Sequence, residues 1–244
     1  MQTRTGTIFA VALFASAGTV VQAGMLLDSF STTQQISIGP GGVNPATASS
    51  SVGTGGTSVG GARTLELTRD TGGTVVATRV NIDAGILGFG TEPGVGGGLM
   101  AIYDGDLDPA LNPTGLGGVD FTESGDNASV RVTYRYDLAL EFFVTVYTDA
   151  GNASRASFVF GGTAGFNGPF NVALLPFASF TPILGAGADF TNIGAMTFSA
   201  STTSPTLGAD FQLDTIDLTR EVPTPGALAL IGLAGVVVAG RRRR

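Results

Sequence analysis

The 244-residue sequence contains no cysteine, histidine, tryptophan or lysine. The lack of cysteine excludes disulfides, thiolate metal ligands and a cysteine nucleophile. The lack of histidine excludes the Ser-His-Asp triad and removes the commonest general base. Without either residue the usual zinc sites cannot form. Enzyme classes that depend on these groups are therefore excluded, whereas a glycosidase that works with two carboxylates is not.

All positive side chains are arginines, and they are distributed unevenly. Arg4 and Arg241–Arg244 lie at the two ends, so residues 24–221 contain seven arginines against all nineteen acidic residues, a net charge of −12. This central part has too few basic residues to neutralise a phosphate backbone. We therefore expect no nucleic-acid partner.

The N-terminus has the pattern of a secretory signal peptide over residues 1–23. A single charge at Arg4 precedes the apolar stretch Ile8–Val21, and small or apolar residues occupy the −3 and −1 positions of Val21-Gln22-Ala23. This order is typical of a cleavable leader. We expect export and cleavage after Ala23.

The C-terminus, residues 222–244, combines a short apolar segment with a basic end. Val222-Pro223-Thr224-Pro225 precedes the apolar run Gly226–Gly240, and Arg241, Arg242, Arg243 and Arg244 end the chain. Fifteen helical residues span about 22 Å, less than a hydrocarbon core of about 30 Å. Basic clusters are retained on the cytoplasmic side of a membrane. The pattern predicts a hydrophobic helix that tethers the protein to the inner membrane, transiently or permanently, with residues 24–221 outside.

This C-terminal pattern resembles the PEP-CTERM sorting signal of Gram-negative and related bacteria. Pro223 and Pro225 match its two prolines and Arg241–Arg244 match its basic end, whereas Thr224 stands where the family usually has glutamate. The resemblance implies processing by an exosortase-like membrane enzyme. It also implies a cell-surface or exopolysaccharide-associated location.

Residues 24–221 show the short, turn-punctuated apolar runs of an all-β domain. In Ser129–Leu138 apolar and polar residues alternate strictly, and Glu141–Asp149 follows closely, so we predict a hairpin of these two strands. Further strands are predicted at Leu26–Phe30, Gln35–Ile38, Arg63–Arg69, Thr74–Ile82, Leu99–Tyr103, Ala156–Phe160, Phe170–Leu175, Gly194–Ala200 and Phe211–Thr219. Residues 39–61, rich in Gly and Ser, are predicted to be a flexible loop.

These elements predict one antiparallel β-sandwich or jelly roll, flanked by the N-terminal signal helix and the C-terminal hydrophobic helix. The segments 188–194 and 210–218, the latter ending in Asp214-Thr215-Ile216-Asp217-Leu218, resemble the closing strands of galactose-binding-like jelly rolls. That resemblance implies the same fold class and carries over no site residue.

The densest polar cluster is Asp104-Gly105-Asp106-Leu107-Asp108, directly after a predicted strand. Carboxylates at alternate positions of a loop can converge on calcium. Asp104, Asp106 and Asp108 are therefore candidate calcium ligands, and calcium is the one candidate cofactor. The alternative is a solvated acidic turn. The loop is not an EF-hand, because Pro109 occupies the position of the required glycine and Gly115 that of the final glutamate.

Two functions are consistent with the sequence, and neither is catalytic. The first is an exported surface or extracellular-matrix protein with a structural or interaction role; the second is a carbohydrate-binding module with acidic loops. A glycosidase would need two facing carboxylates, and no spacing pairs Glu66, Glu92, Glu123 and Glu141. Extracellular polysaccharide is the expected ligand if there is one. The aromatic rings that would bind such a ligand would have to come from few tyrosines, and most of these are expected to be core or sheet residues.

Overall fold

The computed structural model describes residues 24–39, 43–71, 78–83, 85–138, 140–159, 169–202 and 208–221, with the backbone alone for 78–83. The predicted signal peptide, with the cleavage site expected at Ala23, lies outside these ranges. So does the tail that contains Pro223, Pro225 and Arg241–Arg244, and the two predicted flanking helices therefore both fall outside the described residues. Within the described ranges no helix is long and apolar enough to cross a membrane.

The described chain is all-β. Its fourteen strands are β1 Leu26–Asp28, β2 Gln34–Ile38, β3 Ala46–Gly53, β4 Ala62–Thr71, β5 Thr78–Asp83, β6 Ile86–Thr91, β7 Gly96–Tyr103, β8 Ser129–Tyr136, β9 Glu141–Asp149, β10 Asn152–Val159, β11 Asn171–Pro176, β12 Thr181–Leu184, β13 Ala195–Ser201 and β14 Asp210–Thr219. Single 3-10 turns occur at Val59–Gly61, Glu123–Gly125 and Phe177–Ser179.

The strands form two sheets of seven, and the pairings within them are antiparallel. The first sheet has the order β11-β8-β14-β6-β5-β2, with β1 paired to β14. The second has the order β12-β10-β9-β13-β7-β4-β3. We call them sheet A and sheet B. The predicted antiparallel β-sandwich is confirmed.

The core lies between the sheets and follows from alternation along each strand. In β9, Phe142, Val144 and Val146 are completely buried, and the residues between them face away from the core. Aromatic rings join the sheets at the centre: Phe142 of sheet B is 5.0 Å from Phe211 of sheet A, ring centroid to ring centroid, in an edge-on geometry. Such pairs add to the free energy gained by burial.

The predicted hairpin of β8 and β9 is wrong. β8 pairs with β11 and β14 in sheet A, whereas β9 pairs with β10 and β13 in sheet B. The chain crosses from one sheet to the other between them, and their inward faces meet, with Tyr134 and Phe142 ring centroids 6.5 Å apart. Two amphipathic strands that follow each other can pack face to face as well as edge to edge, and the sequence pattern is the same in both cases.

Residues 39–61 are only partly the loop that their composition predicts. Ala46–Gly53 forms the edge strand β3, in register with β4 from Ala46↔Arg69 to Gly53↔Ala62. Small side chains give this strand little apolar surface, and its long pairing with β4 holds it in place. A further strand, β6, was not predicted, because Gly88 and Gly90 interrupt its apolar pattern.

A buried polar network links the sheets near the start of the domain. Arg63 of β4 donates from Nη1 to both oxygens of Asp28 on β1 at 3.0 and 2.8 Å, and from Nε to Gln34 Oε1 at 2.9 Å. Tyr103 of β7 donates its hydroxyl to Asp28 Oδ2 at 3.0 Å. Asp28, Arg63 and Tyr103 are all 0% exposed. The hydrogen bonds compensate the cost of removing these charges from water.

Candidate functional site

The three predicted calcium ligands lie in one loop, and each binds backbone amides. Asp104 is buried; its Oδ1 accepts from the amide of Asp106 at 3.0 Å, and its Oδ2 accepts from that of Asn112 at 2.8 Å. Asp106 Oδ1 accepts from the amides of Leu107 and Asp108, and Asp108 Oδ1 accepts from that of Ala110. These are local turn contacts of the kind that aspartate commonly makes.

The described residues contain no group of three or more acidic side chains placed to hold a metal ion. Asp104 has a structural role in this geometry, because it closes the loop across eight residues. A calcium site at Asp104, Asp106 and Asp108 stays a prediction.

Most of the tyrosines are core or sheet residues, as the sequence indicated. Tyr103 is buried and bonded to Asp28, and burial raises the pKa of its phenol well above the ordinary value, with a further contribution from the Asp28 carboxylate. Tyr134 and Tyr136 belong to the core side of β8, with ring centroids 6.0 Å apart. Tyr147 alternates with the core residues of β9 and so faces away from the core. Three of the four tyrosines are thus structural.

The outer face of sheet B carries a different set of functional groups. Opposite residues of paired strands point to the same side, so the registers define rows across β9, β13, β7 and β4. One row is Glu141, Ser201, Gly98 and Thr68, and the next is Phe143, Ser199, Met100 and Glu66. We call these eight residues the outer strip. All except the buried Gly98 are partly exposed.

Phe143 is the aromatic centre of the outer strip. Its cross-strand neighbours are Ser157 on β10 and Ser199 on β13, both small. The guanidinium carbon of Arg155 lies 5.2 Å from the ring centroid, within the range of a cation–π contact. Arg155 Nε also donates to Thr145 Oγ1 at 3.1 Å. Two contacts therefore hold the arginine beside the ring.

The next row bounds the outer strip on one side. Thr145, Thr197, Ile102 and Thr64 continue the same face, and all four are buried. Thr64 and Ser51 share a hydrogen bond of 2.7 Å between their hydroxyls. Across β9, β13, β7 and β4 the accessible part of this face is consequently the outer strip, with Arg155 beside it.

The outer strip carries two glutamates whose carboxylates have no partner among the described residues. The backbones of Glu66 and Glu141 take part in strand pairing, but neither carboxylate makes a hydrogen bond or ion pair there. Three inter-strand spacings and a two-residue offset place their Cα atoms about 16 Å apart. Side chains stand roughly perpendicular to a sheet, so this spacing exceeds the approximately 5–9.5 Å of glycosidase carboxyl pairs.

The other two glutamates considered from the sequence lie elsewhere. Glu92 follows β6 of sheet A, and its carbonyl accepts from the Val95 amide at 3.0 Å. Glu123 begins a 3-10 turn and accepts from Asn127 Nδ2 through its carboxylate at 2.8 Å. The structure brings neither of them to the outer strip.

The sequence did not single out Phe143 and Arg155 as functional residues. A period-two pattern shows that Phe143 and Phe142 point to opposite faces of a strand, but it does not show which face is the core. The neighbouring glutamate at 141 and threonine at 145 were the available signal, since all three share one face. Arg155 comes beside the ring only through the β9–β10 hairpin.

Neither the protein-family models nor the curated proteins include a match to this chain. Among solved structures, the family 11 carbohydrate-binding module from Clostridium thermocellum, in complex with a β-1,3-1,4-mixed-linked tetrasaccharide, is similar at 13% identity and TM-score 0.36, over 81% of this chain and 95% of that one. A family 29 module complexed with mannohexaose is similar at 9% identity and TM-score 0.33, over 73% and 94%. PfGH50B is similar at 11% identity and TM-score 0.40, over 62% and 22%. At TM-scores below 0.5 these similarities carry no argument about this chain.

Proposed function

We propose that residues 24–221 form a non-catalytic polysaccharide-binding domain that acts outside the cell, with the outer strip as its binding surface. The observation that carries the proposal is Phe143, held beside Arg155 and flanked across the strands by Ser157 and Ser199, with Glu141 and Glu66 elsewhere on the outer strip. Of the two functions consistent with the sequence, polysaccharide binding is the one for which the outer strip offers a candidate surface.

The chemistry of the outer strip suits a sugar chain. The C–H faces of a pyranose ring are apolar and pack on an aromatic ring, while its hydroxyls need both donors and acceptors. Glu66 and Glu141 offer carboxylate acceptors, and the hydroxyls of Ser199 and Ser201 can donate or accept, whereas the Thr68 hydroxyl is engaged with the Gly98 backbone. Hydrogen bonds to an ionised carboxylate are among the stronger ones. Sites of this kind combine apolar area with a few orienting polar groups.

Among the described residues the outer strip continues onto exposed positions at both ends, which favours a linear polymer. Beyond Glu141 and Phe143 lie Val159, 66% exposed, and Ser157. Beyond Glu66 and Thr68 lie the exposed residues Ser49 and Thr47 of the edge strand β3. A polysaccharide lying across the strands can therefore extend past both sides of the sheet. We infer that the site takes internal stretches of a chain.

A binding role is preferred to a catalytic one because the acids are not arranged as a reacting pair. The chain has no histidine or cysteine, and the two glutamates on the candidate face are about 16 Å apart at Cα. A retaining or inverting glycosidase needs its carboxyl groups much closer together.

The location of the domain belongs to the same proposal and is supported by the sequence of the two ends. A leader cleaved after Ala23 would direct export. The tail with Pro223, Pro225 and Arg241–Arg244 would deliver the protein to an exosortase-like enzyme and to the cell surface, where extracellular polysaccharide is the available ligand.

The direct test is affinity electrophoresis of the full-length protein, purified in detergent, through gels that contain soluble β-glucan, mannan or galactan. At least one polymer should retard the protein in a concentration-dependent manner, and no reducing ends should be released from it. Unchanged mobility in all three gels would overturn the binding proposal. Release of reducing ends that disappears in Glu66→Gln or Glu141→Gln would overturn the non-catalytic assignment.

A further inference from the structure

The charges around the outer strip are unbalanced. Glu66 and Glu141 lack partners among the described residues, whereas Arg155 contacts Phe143 and Thr145. The other arginines of sheet B, Arg63 and Arg69, point into the buried interior and are at most 1% exposed. The accessible face of sheet B therefore carries an excess of negative charge.

The rest of the domain strengthens this imbalance. Residues 24–221 have a net charge of −12. Arg131 forms an ion pair with Asp217, and Arg220 forms one with Asp126. A summed negative potential slows the approach of polyanions and favours neutral partners.

We propose that the outer strip selects uncharged polysaccharides and rejects acidic ones, an inference that rests on the proposed function. A neutral sugar donates its hydroxyls to Glu66 and Glu141. A uronic or sulfated sugar at the same position brings a second anion against these carboxylates, and a like-charge juxtaposition across an interface is costly. Arg155 keeps its positive charge but offsets this repulsion only in part, because it is a single cation at one end of the strip, beside Phe143 and Thr145.

The test uses matched polymers that differ only in charge. Soluble β-glucan, mannan and galactan are each compared with the same polymer after oxidation of its primary hydroxyls to carboxylates. The full-length protein should bind a neutral polymer at least about tenfold more tightly than its oxidised form. Added salt should narrow the difference, because it screens the repulsion between exposed charges.

The variant Glu66→Gln/Glu141→Gln separates charge from shape. Glutamine keeps the size and an acceptor oxygen but removes the charge, so this variant should bind neutral and oxidised polymer with affinities within about threefold of each other. Glu92→Gln/Glu221→Gln removes two charges from residues that follow β6 and β14 of sheet A, outside the outer strip, and should leave the preference intact. A thermal melt of each variant checks that it is folded.

The outcomes distinguish this inference from the proposed function. Equal binding of both forms by the unaltered protein, tighter binding of the oxidised form, or an unchanged preference in the glutamine variant overturns the charge selection while polysaccharide binding stands. The absence of binding to any neutral or oxidised polymer overturns both.

Discussion

Arg63 and Asp28 form a completely buried ion pair, with 2.8 Å between Nη1 and Oδ2, and they belong to different sheets. Asp28 ends β1, a three-residue strand that pairs with β14 and forms an isolated bridge to Ser58. The ion pair therefore ties the first strand, which belongs to sheet A, to sheet B. Tyr103, Gln34, the Phe30 amide and the Thr32 carbonyl complete the hydrogen bonding of the two charges.

Removing one partner of this pair should destabilise the domain strongly. Arg63→Met leaves the Asp28 carboxylate buried without its countercharge, and we expect a loss of about 3–5 kcal/mol in the free energy of unfolding. The control is Arg220→Met, which breaks the exposed pair with Asp126 and should cost about 1 kcal/mol or less. Urea denaturation measures both. Equal losses would contradict the structural role of the Arg63–Asp28 pair.

The Tyr103 phenol should make stability depend on alkaline pH. Its pKa in the folded protein is raised, chiefly by burial and also by the Asp28 carboxylate, whereas an unfolded tyrosine titrates near about 10. Above that pH the unfolded state loses a proton that the folded state keeps, so stability is complete below about pH 10 and falls as pH rises further.

Denaturation of the unaltered protein and of Tyr103→Phe at a series of pH values between 9 and about 11.5 isolates this effect. The phenylalanine variant should show a shallower decline, because it lacks the titrating group. Tyr147→Phe is the control, because Tyr147 faces away from the core and its removal leaves the buried Tyr103 phenol in place, so its decline should match that of the unaltered protein. A decline that is equally steep in Tyr103→Phe and in the unaltered protein would contradict this explanation.

Asp104 should matter more for stability than the other two acids of its loop. Asp104→Ala leaves the amides of Asp106 and Asn112 without their acceptor and should cost about 1–3 kcal/mol. Asp106→Ala and Asp108→Ala alter exposed turns and should each cost about 0.5 kcal/mol or less. Thermal melts in calcium and in EDTA should give the same order. A calcium-dependent rise in melting temperature that each variant abolishes would instead establish the predicted calcium site.

The C-terminal tail should control where the protein is retained. Deletion of Arg241–Arg244 removes the charges that stop translocation, so we expect the protein to be lost from the cell surface or released, as measured by cell fractionation. Thr224→Glu restores the glutamate usual in PEP-CTERM signals and should increase the processed fraction on an immunoblot. Unchanged surface retention after the deletion would rule out the sorting role.

The sequence was sufficient for the fold class because alternation along single strands is a local property. Val130, Val132 and Tyr136 predicted the buried face of β8 correctly. Sheet membership was not accessible in this way, since it depends on pairings between distant segments. The β8–β9 hairpin was wrong for that reason, although both strands were located correctly.

The candidate site was less accessible to prediction than the fold. Arg63 and Arg69 alternate in step with Leu65 and Leu67, so the pattern of β4 shows that two arginines face the core. It does not show which groups bind their charges. The outer strip depends on Ser199 of β13 lying between Phe143 of β9 and Met100 of β7, and these three strands are remote from one another in sequence. No short motif records that arrangement.

The measurement that tests the account most directly is polysaccharide affinity of Phe143→Ala compared with Phe170→Ala in the full-length protein. Both rings contact an arginine guanidinium, but Phe143 lies on the outer strip of sheet B, whereas Phe170 lies against Arg135 of sheet A. Losing an aromatic contact worth about 1.5–3 kcal/mol should weaken binding about 10- to 100-fold in Phe143→Ala. Binding by Phe170→Ala should match that of the unaltered protein. Equal affinities for both variants and the unaltered protein would show that the outer strip is not the binding surface.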